Sequence, residues 1–485
     1  MAGRYLSTGL ILSFTLIAGR LAGFLREMQL SATFGLSRDS DFAIVLLTTP
    51  DLLVNLLLAG GLSAALIPEF ARLDADGRHR LFVLACMMVG GVFGAIGLSV
   101  MLFPIVPILI FAPGYAGVPV ADYAWPFRLA ALAIPLSGLA GVTTALLNGR
   151  EKFFVAGSGT LIFNGTIIAS LALWHYPGSE LLVLGAGITL AALLRFGSQF
   201  LAATGHISRH AAAASPMNLL HLLQRFWLTL GATTLVLLVP VILRAVVSLN
   251  GAGNIAAYNF ATKLVELPIG IAITTISTVA FPALSKAFAD GNLSALGETF
   301  ENAIRRGVGI SLAIAIPCYW FAYPLVDLIF GRGRMNRDDL QLIAELARLG
   351  FTTLPLIAIS SLAAALLNAR HQSGLLLKVT LYCMAVIPVA VLPGLLAGDV
   401  QMMVMALPVF HFVFAVALAK ATEQPILRDA PWLLRSAGLP AVLAIAVTAA
   451  FAAVASMIGQ PMAFSDATIA ILAIGVSILV VGAVR

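Results

Sequence analysis

Charged side chains lie inside the first apolar run of the sequence, where a lipid-facing helix would avoid them. The segment AGRLAGFLRE, residues 18–27, carries Arg20, Arg26 and Glu27. An arginine at the centre of such a helix costs about 2.5–3.5 kcal/mol on insertion scales, so it needs a partner or a function. A guanidinium binds phosphate through two parallel hydrogen bonds, which a low dielectric strengthens. These residues therefore predict a site for a phosphate-bearing anion.

Three later apolar runs also carry polar side chains. The first carries Asp51 and Asn55, the second Arg244, and the third Asn259, Lys263 and Glu266. Spacings of three and four place the members of one run on a single helix face. Because cations outnumber anions, the set predicts a central cleft that binds an anionic ligand.

Each of these groups also has a structural interpretation. Lys263 and Glu266 are i,i+3 neighbours that can pair with each other. Arg26 and Arg244 can extend to the membrane interface, since long basic side chains reach water from a buried stem. Arg20 has no acidic residue within one helical turn, so the structural interpretation is weakest there.

The overall composition predicts an all-α integral membrane protein. The 485 residues are 60% hydrophobic and 10% charged, with a mean hydropathy of +1.01, whereas soluble proteins carry about 25% charged residues. A spanning helix needs about 20 apolar residues. The first run contains Arg20 and precedes thirteen others, so we expect it to be retained rather than cleaved. The predicted spans are 7–25, 42–67, 81–111, 124–147, 153–174, 180–203, 226–249, 254–282, 303–330, 344–368, 375–398, 400–419, 434–457 and 465–484.

The distribution of basic residues predicts the topology. Of the 28 lysines and arginines, 17 fall in alternate loops and the termini, and five in the opposite loops. Basic residues favour the cytoplasmic side, so both termini are predicted to be cytoplasmic. The net charge of +6 reflects this topology and does not indicate nucleic-acid binding.

The sequence repeats itself after 214 to 220 residues. PEFARLDADG (68–77) matches PALSKAFADG (282–291), and residues 127–150 match 347–370. Each copy holds six spans, an even number, so the copies run parallel and a substrate is expected at their interface near the membrane midplane.

The predicted organisation is therefore six spans, six spans and two more. The corresponding segments are 1–210, 211–425 and 426–485.

Signatures of an enzyme are absent from the sequence. It contains no GK dipeptide, hence no phosphate-binding loop for ATP, and no HExxH. We expect a transporter with no cofactor and no ATP site. Arg195 and His411 also lie in apolar runs, where a role in function and a contact between helices both stay open.

Several motifs resemble the MurJ/MviN family of lipid II flippases. They are GRLAGFLRE, Phe34-Gly35 followed by Asp41, GGLSAALIPEF (60–70) and KLVELPIGIAITTISTVAFPALSKAFADGN (263–292). That family belongs to the MOP superfamily, with the MATE transporters. The resemblance implies fourteen spans in the bacterial inner membrane. It also implies alternating-access transport of an undecaprenyl-pyrophosphate-linked precursor to the periplasmic leaflet, for peptidoglycan synthesis, alongside cell-wall or polysaccharide machinery.

The resemblance also assigns roles to residues. Arg20 and Arg26 match two arginines of the family's central cavity, Glu27 the acid after the second, and Asp41 the aspartate before span 2. The residues predicted to bind the pyrophosphate are Arg20, Arg26, Lys263 and Arg244. The residues predicted to line or gate the cavity are Glu27, Asp41, Asp51, Asn55, Asn259 and Glu266.

Three departures from the family pattern leave the head group open. Val54 replaces an essential arginine, Ala59 a glutamate, and Lys263 an arginine. The alternatives to lipid II are another polyprenyl-pyrophosphate glycan, such as an exopolysaccharide or capsule unit, and a MATE-type antiporter. The cationic cleft argues against the antiporter. The energy is expected from the membrane potential or a coupling Na⁺ or H⁺.

Overall fold

The computed structural model describes residues 2–56, 62–173, 178–204, 235–424, 430–458 and 463–483. Every regular element in these ranges is a helix, so the predicted all-α fold is confirmed. The helices are α1 (Ala2–Phe34), α2 (Arg38–Leu56), α3 (Leu62–Arg72), α4 (Ala75–Leu102), α5 (Ile105–Phe111), α6 (Ala124–Ala131), α7 (Ala133–Gly149), α8 (Phe153–Leu173), α9 (Glu180–Thr204), α10 (Leu235–Asn250), α11 (Asn254–Pro268), α12 (Thr274–Ala289), α13 (Leu293–Trp320), α14 (Ala322–Phe330), α15 (Arg337–Phe351), α16 (Leu354–Ala369), α17 (Ser373–Met384), α18 (Val386–Ala397), α19 (Val400–Val404), α20 (Ala406–Ala421), α21 (Ala430–Ile458) and α22 (Ala463–Ala483).

The helices account for the predicted spans. Within the described residues, eight helical segments are long and apolar enough to cross a bilayer. The pair α13–α14, which bends by 77°, makes a ninth. Each of the fourteen ranges predicted from the sequence overlaps at least one helix.

Prolines mark where several spans break. Pro135, Pro355 and Pro408 each follow a break by two or three residues, because a proline ring clashes with the carbonyl of the preceding turn. Pro268 ends α11 and is followed by a π-helical turn, Ile269–Ile273. Pro50 lies inside the continuous helix α2, so a proline does not always interrupt a span.

The chain forms two compact units, Met1–Leu237 (unit one) and Leu238–Arg485 (unit two). The same turn closes a helix in each. After α7, Glu151 adopts φ 58° and its amide donates to the carbonyl of Asn148. After α16, His371 also adopts φ 58° and its amide donates to the carbonyl of Asn368. These turns lie 220 residues apart, as the predicted duplication requires.

The three-part division of the chain stays a prediction. Its boundaries, after residues 210 and 425, do not lie within the described ranges.

Candidate functional site

Arg26 lies at the centre of an ion-pair cluster in unit one, in which Arg26 and Glu27 are buried and Asp51 is partly exposed. Its guanidinium donates to Glu27 Oε1 of the same helix at 2.7 Å and to Asp51 Oδ2 at 3.3 Å, and the second pair joins α1 to α2. Arg26 is only 7% exposed and Glu27 only 2%. The interpretation in which Arg26 extends to the membrane interface is therefore wrong, because two carboxylates hold the guanidinium inside the unit.

Asp41 is fully buried at the start of α2. The hydroxyl of Tyr115 donates to Asp41 Oδ2 at 2.5 Å, and the Tyr115 ring packs 5.1 Å from that of Phe42. The positive end of the helix dipole also stabilises a carboxylate in the first turn. Asp41 therefore ties α2 to the turn at Pro113–Tyr115.

Arg20 is exposed on α1. The neighbouring face of the helix carries Gly19 and Gly23, where an added Cβ would lie 3.3 Å from Thr160 and 3.6 Å from Asn164 of α8. Those glycines let α1 approach α8 closely. Arg20 makes no ion pair with any side chain in the described part of the chain. The predicted deep cation without a local acid therefore keeps its guanidinium accessible.

Unit one also contains a buried polar contact that the sequence did not reveal. Gln199 of α9 is fully buried, accepts a hydrogen bond from the Thr144 hydroxyl at 3.2 Å and donates to the carbonyl of Ala156 at 3.0 Å. Arg195, one turn earlier, is 8% exposed, and its Nε has no hydrogen-bond partner. Arg195 and Gln199 lie among the apolar residues of the buried face of α9. The spacing of those apolar residues along the sequence could therefore have indicated that both polar side chains are buried.

In unit two, Arg244 of α10 is buried rather than interfacial. Its Nη2 donates to Asn259 Oδ1 of α11 at 2.9 Å, and the two residues are 8% and 3% exposed. The interface interpretation is wrong here too, because the amide of Asn259 supplies a buried acceptor. Asn259 therefore contacts Arg244.

Lys263 and Glu266 pair with each other at the side of α11. Lys263 Nζ lies 2.7 Å from Glu266 Oε2, and the side chains are 29% and 48% exposed. Since a partly exposed pair is worth little stability, about 0–1 kcal/mol, it can exchange for another partner. The ion pair that the structural interpretation predicts is therefore present, and it does not exclude that Lys263 binds an anionic ligand.

Asn55 lies in α2, but its side chain is not among those described, so the face it was predicted to share with Asp51 stays a prediction. The side chain of Val54 is likewise not among those described, and Ala59 lies outside the described residues.

Of the four cations predicted to bind phosphate, Arg26, Arg244 and Lys263 thus have described partners, whereas Arg20 has no described ion pair.

Comparison with known proteins identifies relatives in sequence and in fold. The family model described as "Lipid II flippase MurJ" matches residues 30–473. A probable lipid II flippase MurJ from Rhizobium meliloti is 22% identical over 347 residues, covering 68% of this chain and 64% of that protein. The counterpart from Rhizobium tropici is 22% identical, covering 76% and 72%.

Solved structures share the fold. A lipid II flippase MurJ in an inward closed conformation superposes with a TM-score of 0.79 at 17% identity, covering 98% of both chains. An inward-facing multidrug MATE transporter of the MOP superfamily gives 0.69 at 16% identity, covering 87% of this chain and 99% of that one.

Proposed function

The chain belongs to the MurJ family of lipid II flippases, and from that premise we propose that it moves lipid II from the cytoplasmic to the periplasmic leaflet. It is a transporter of a lipid-linked glycan in a membrane and not an enzyme. The substrate combines a polyprenyl chain, which the bilayer solvates, with a pyrophosphate and sugar–peptide head group, which it does not. The protein provides a polar path for the head group.

The observation that carries this proposal is Arg20. It is an exposed cation in an apolar helix, with no ion pair to a described side chain. A guanidinium presents a fork of donors that matches the oxygens of a phosphate. Arg20 binds the pyrophosphate, and Lys263 of unit two supplies a second cation.

The direction of transport follows from the proposed orientation. With both termini in the cytoplasm, the basic loops lie on the cytoplasmic side of a bacterial inner membrane. The lipid is then taken up from the leaflet where its head group is assembled, and cell-wall or polysaccharide synthesis proteins are its partners.

A second candidate substrate is another polyprenyl-pyrophosphate glycan. Val54 and Lys263 stand where the family has arginines, and Ala59 stands where it has a glutamate. A changed set of polar groups in the cavity favours a changed head group. The pyrophosphate is common to both substrates, so the role of Arg20 is the same in each.

Complementation separates these substrates. The gene is expressed in cells depleted of their own lipid II flippase, and growth is measured. We expect growth and normal cell shape. Stable protein in the membrane without growth would contradict lipid II as the substrate and favour the other glycan.

Charge exchange at Lys263 tests its part in binding. We expect Lys263→Arg to support growth at least as well as the wild type, because it restores a fork of donors. Lys263→Glu should abolish growth, since it places a carboxylate beside the phosphate. The double variant Lys263→Glu, Glu266→Lys keeps the ion pair but moves the cation by three residues. Its failure is expected, whereas full activity would show that only the pair matters.

A further inference from the structure

Unit two contains a cavity behind the Lys263–Glu266 pair. Its volume is ≈ 90 Å³, and α10, α11, α15, α16, α19 and α20 supply its wall. Most of the wall is apolar, with Pro240, Val265 and Leu346 among the contacts. A water molecule needs about 10–15 Å³ of such volume, so the cavity has room for several.

Two polar atoms on this wall are buried without a hydrogen-bond partner. They are the hydroxyl of Tyr258, which is 1% exposed, and Nδ1 of His411 on α20. Native structures leave few such atoms, and each one calls for a ligand or water. The hydroxyls of Thr262 and Thr353, also on the wall, donate to carbonyls of their own helices and retain lone pairs to accept.

Glu266 lines the cavity and is also partly exposed at the surface of unit two. Its carboxylate is bound to Lys263. It is the acidic residue on a wall that also carries an imidazole and a phenol. Arg244 donates a hydrogen bond to Asn259, the residue that follows Tyr258 on α11.

Other helices packed against α20 add no charge to this wall. The helices in contact are α15, α16, α17, α18 and α19. Of these, only α15 and α17 carry titratable or charged side chains, and none of those side chains lines the cavity. They are Arg337, Asp338, Asp339, Glu345, Arg348, Lys378, Tyr382 and Cys383.

We propose that this cavity is a proton-binding site, in which His411 takes up the proton and Glu266 leaves Lys263 to neutralise the imidazolium. An apolar wall disfavours a charged imidazole unless a carboxylate lies close to it, and Glu266 on the same wall is such a carboxylate. One proton enters from water, the lone pair of Nδ1 accepts it, and the charge of the imidazolium is balanced by the carboxylate of Glu266.

This exchange releases the ammonium of Lys263. On the basis of the proposed function, uptake of H⁺ makes one more cation available to the pyrophosphate, and loss of H⁺ restores the Lys263–Glu266 pair. Histidine is suited to this role because its charge changes near physiological pH.

Histidine NMR on the full-length protein tests the site without a transport assay. The protein, labelled with ¹⁵N-histidine, is placed in lipid nanodiscs and titrated from pH 8 to pH 5. The His411→Gln variant identifies the resonance among the seven histidines, and His371→Asn, at an exposed turn, is the control that must leave it unchanged.

We expect the His411 resonance to change to the imidazolium form on acidification. In Glu266→Gln, the imidazolium fraction at pH 6 should fall about tenfold, because one nearby opposite charge is lost. A resonance that stays neutral down to pH 5, or one that Glu266→Gln does not alter, would overturn the proposal. If His411→Gln fails to fold, the Glu266→Gln comparison still decides.

Transport at pH 6 and pH 8 then links the site to flipping. The wild type should differ several-fold between the two, and His411→Gln should not. Titration of His411 in a protein that does not move lipid II would support this site and contradict the proposed function instead.

Discussion

Replacing Arg20 with alanine is expected to abolish lipid transport while the amount of membrane protein stays unchanged. Arg20 makes no ion pair with a described side chain and is exposed, so its loss leaves no described buried charge uncompensated. Charged hydrogen bonds to the phosphate are worth about 1.5–3 kcal/mol, which corresponds to about 10- to 100-fold in affinity. Growth of flippase-depleted cells and an immunoblot of the membrane fraction measure the two effects.

Two further variants of basic residues sharpen this test. Arg20→Lys should recover little, because a point charge does not reproduce the fork of the guanidinium. Arg332→Ala, in an exposed loop of unit two, is the matched control and should transport normally. Normal growth with Arg20→Ala would remove Arg20 from the binding site.

Arg26→Ala provides the contrast, six residues away on the same helix. It would leave Glu27, which is 2% exposed, without its guanidinium. Removing one partner of a buried pair typically costs about 3–5 kcal/mol, so this variant should lower thermal stability and protein level. The two arginines therefore differ in kind: Arg26 holds α1 to α2, and Arg20 is available to a ligand.

The fold was largely predictable because membrane helices obey a strict rule. Lipid supplies no hydrogen-bond partners, so each apolar run must satisfy its own backbone as a helix. Length and composition therefore located the spans, whereas the breaks beside Pro135 and Pro355 were found only in the structure. The family resemblance, confirmed by the match over residues 30–473, rested on charged and glycine motifs rather than on the generic apolar runs.

The partners of the buried polar groups were less predictable. Arg26 meets Asp51 across 25 residues, and Asp41 meets Tyr115 across 74. Such pairs depend on how helices rotate and pack, which periodicity within one helix does not encode. The sequence therefore indicated which residues are unusual, and only the packing distinguished Arg26 and Arg244, which are held internally, from Arg20.

Transport is expected to depend on the membrane potential and not on ATP. A lipid pyrophosphate carries about two negative charges, each worth about 2.3 kcal/mol per 100 mV, so 100 mV supplies about 4–5 kcal/mol. With the cytoplasm negative, outward movement of those charges runs downhill. A potential of this size can drive accumulation about a thousandfold, since each 1.4 kcal/mol is tenfold.

The return of the empty carrier moves only the carrier's own charges, which go back through the part of the field that they crossed on the outward step. Lys263 is balanced by Glu266 in the arrangement described, and Arg26 by Glu27 and Asp51. Arg20 is then the proposed phosphate-binding cation that lacks a described ion pair during the return. Its displacement on the outward step is reversed on the return, so over a full cycle the net charge moved is that of the lipid, and the cycle favours export.

Vesicles containing the purified protein and lipid II test this balance directly. A potassium gradient with valinomycin sets the potential, and the head group that reaches the outer leaflet is measured without nucleotide. We expect flipping in the direction that the potential favours and its loss when the potential is collapsed. A proton gradient alone should drive transport only if protonation at His411 is coupled to the cycle, so the two gradients are applied separately. Undiminished flipping with neither gradient would mean passive scrambling, because a coupled carrier at zero driving force cannot accumulate its substrate on one side.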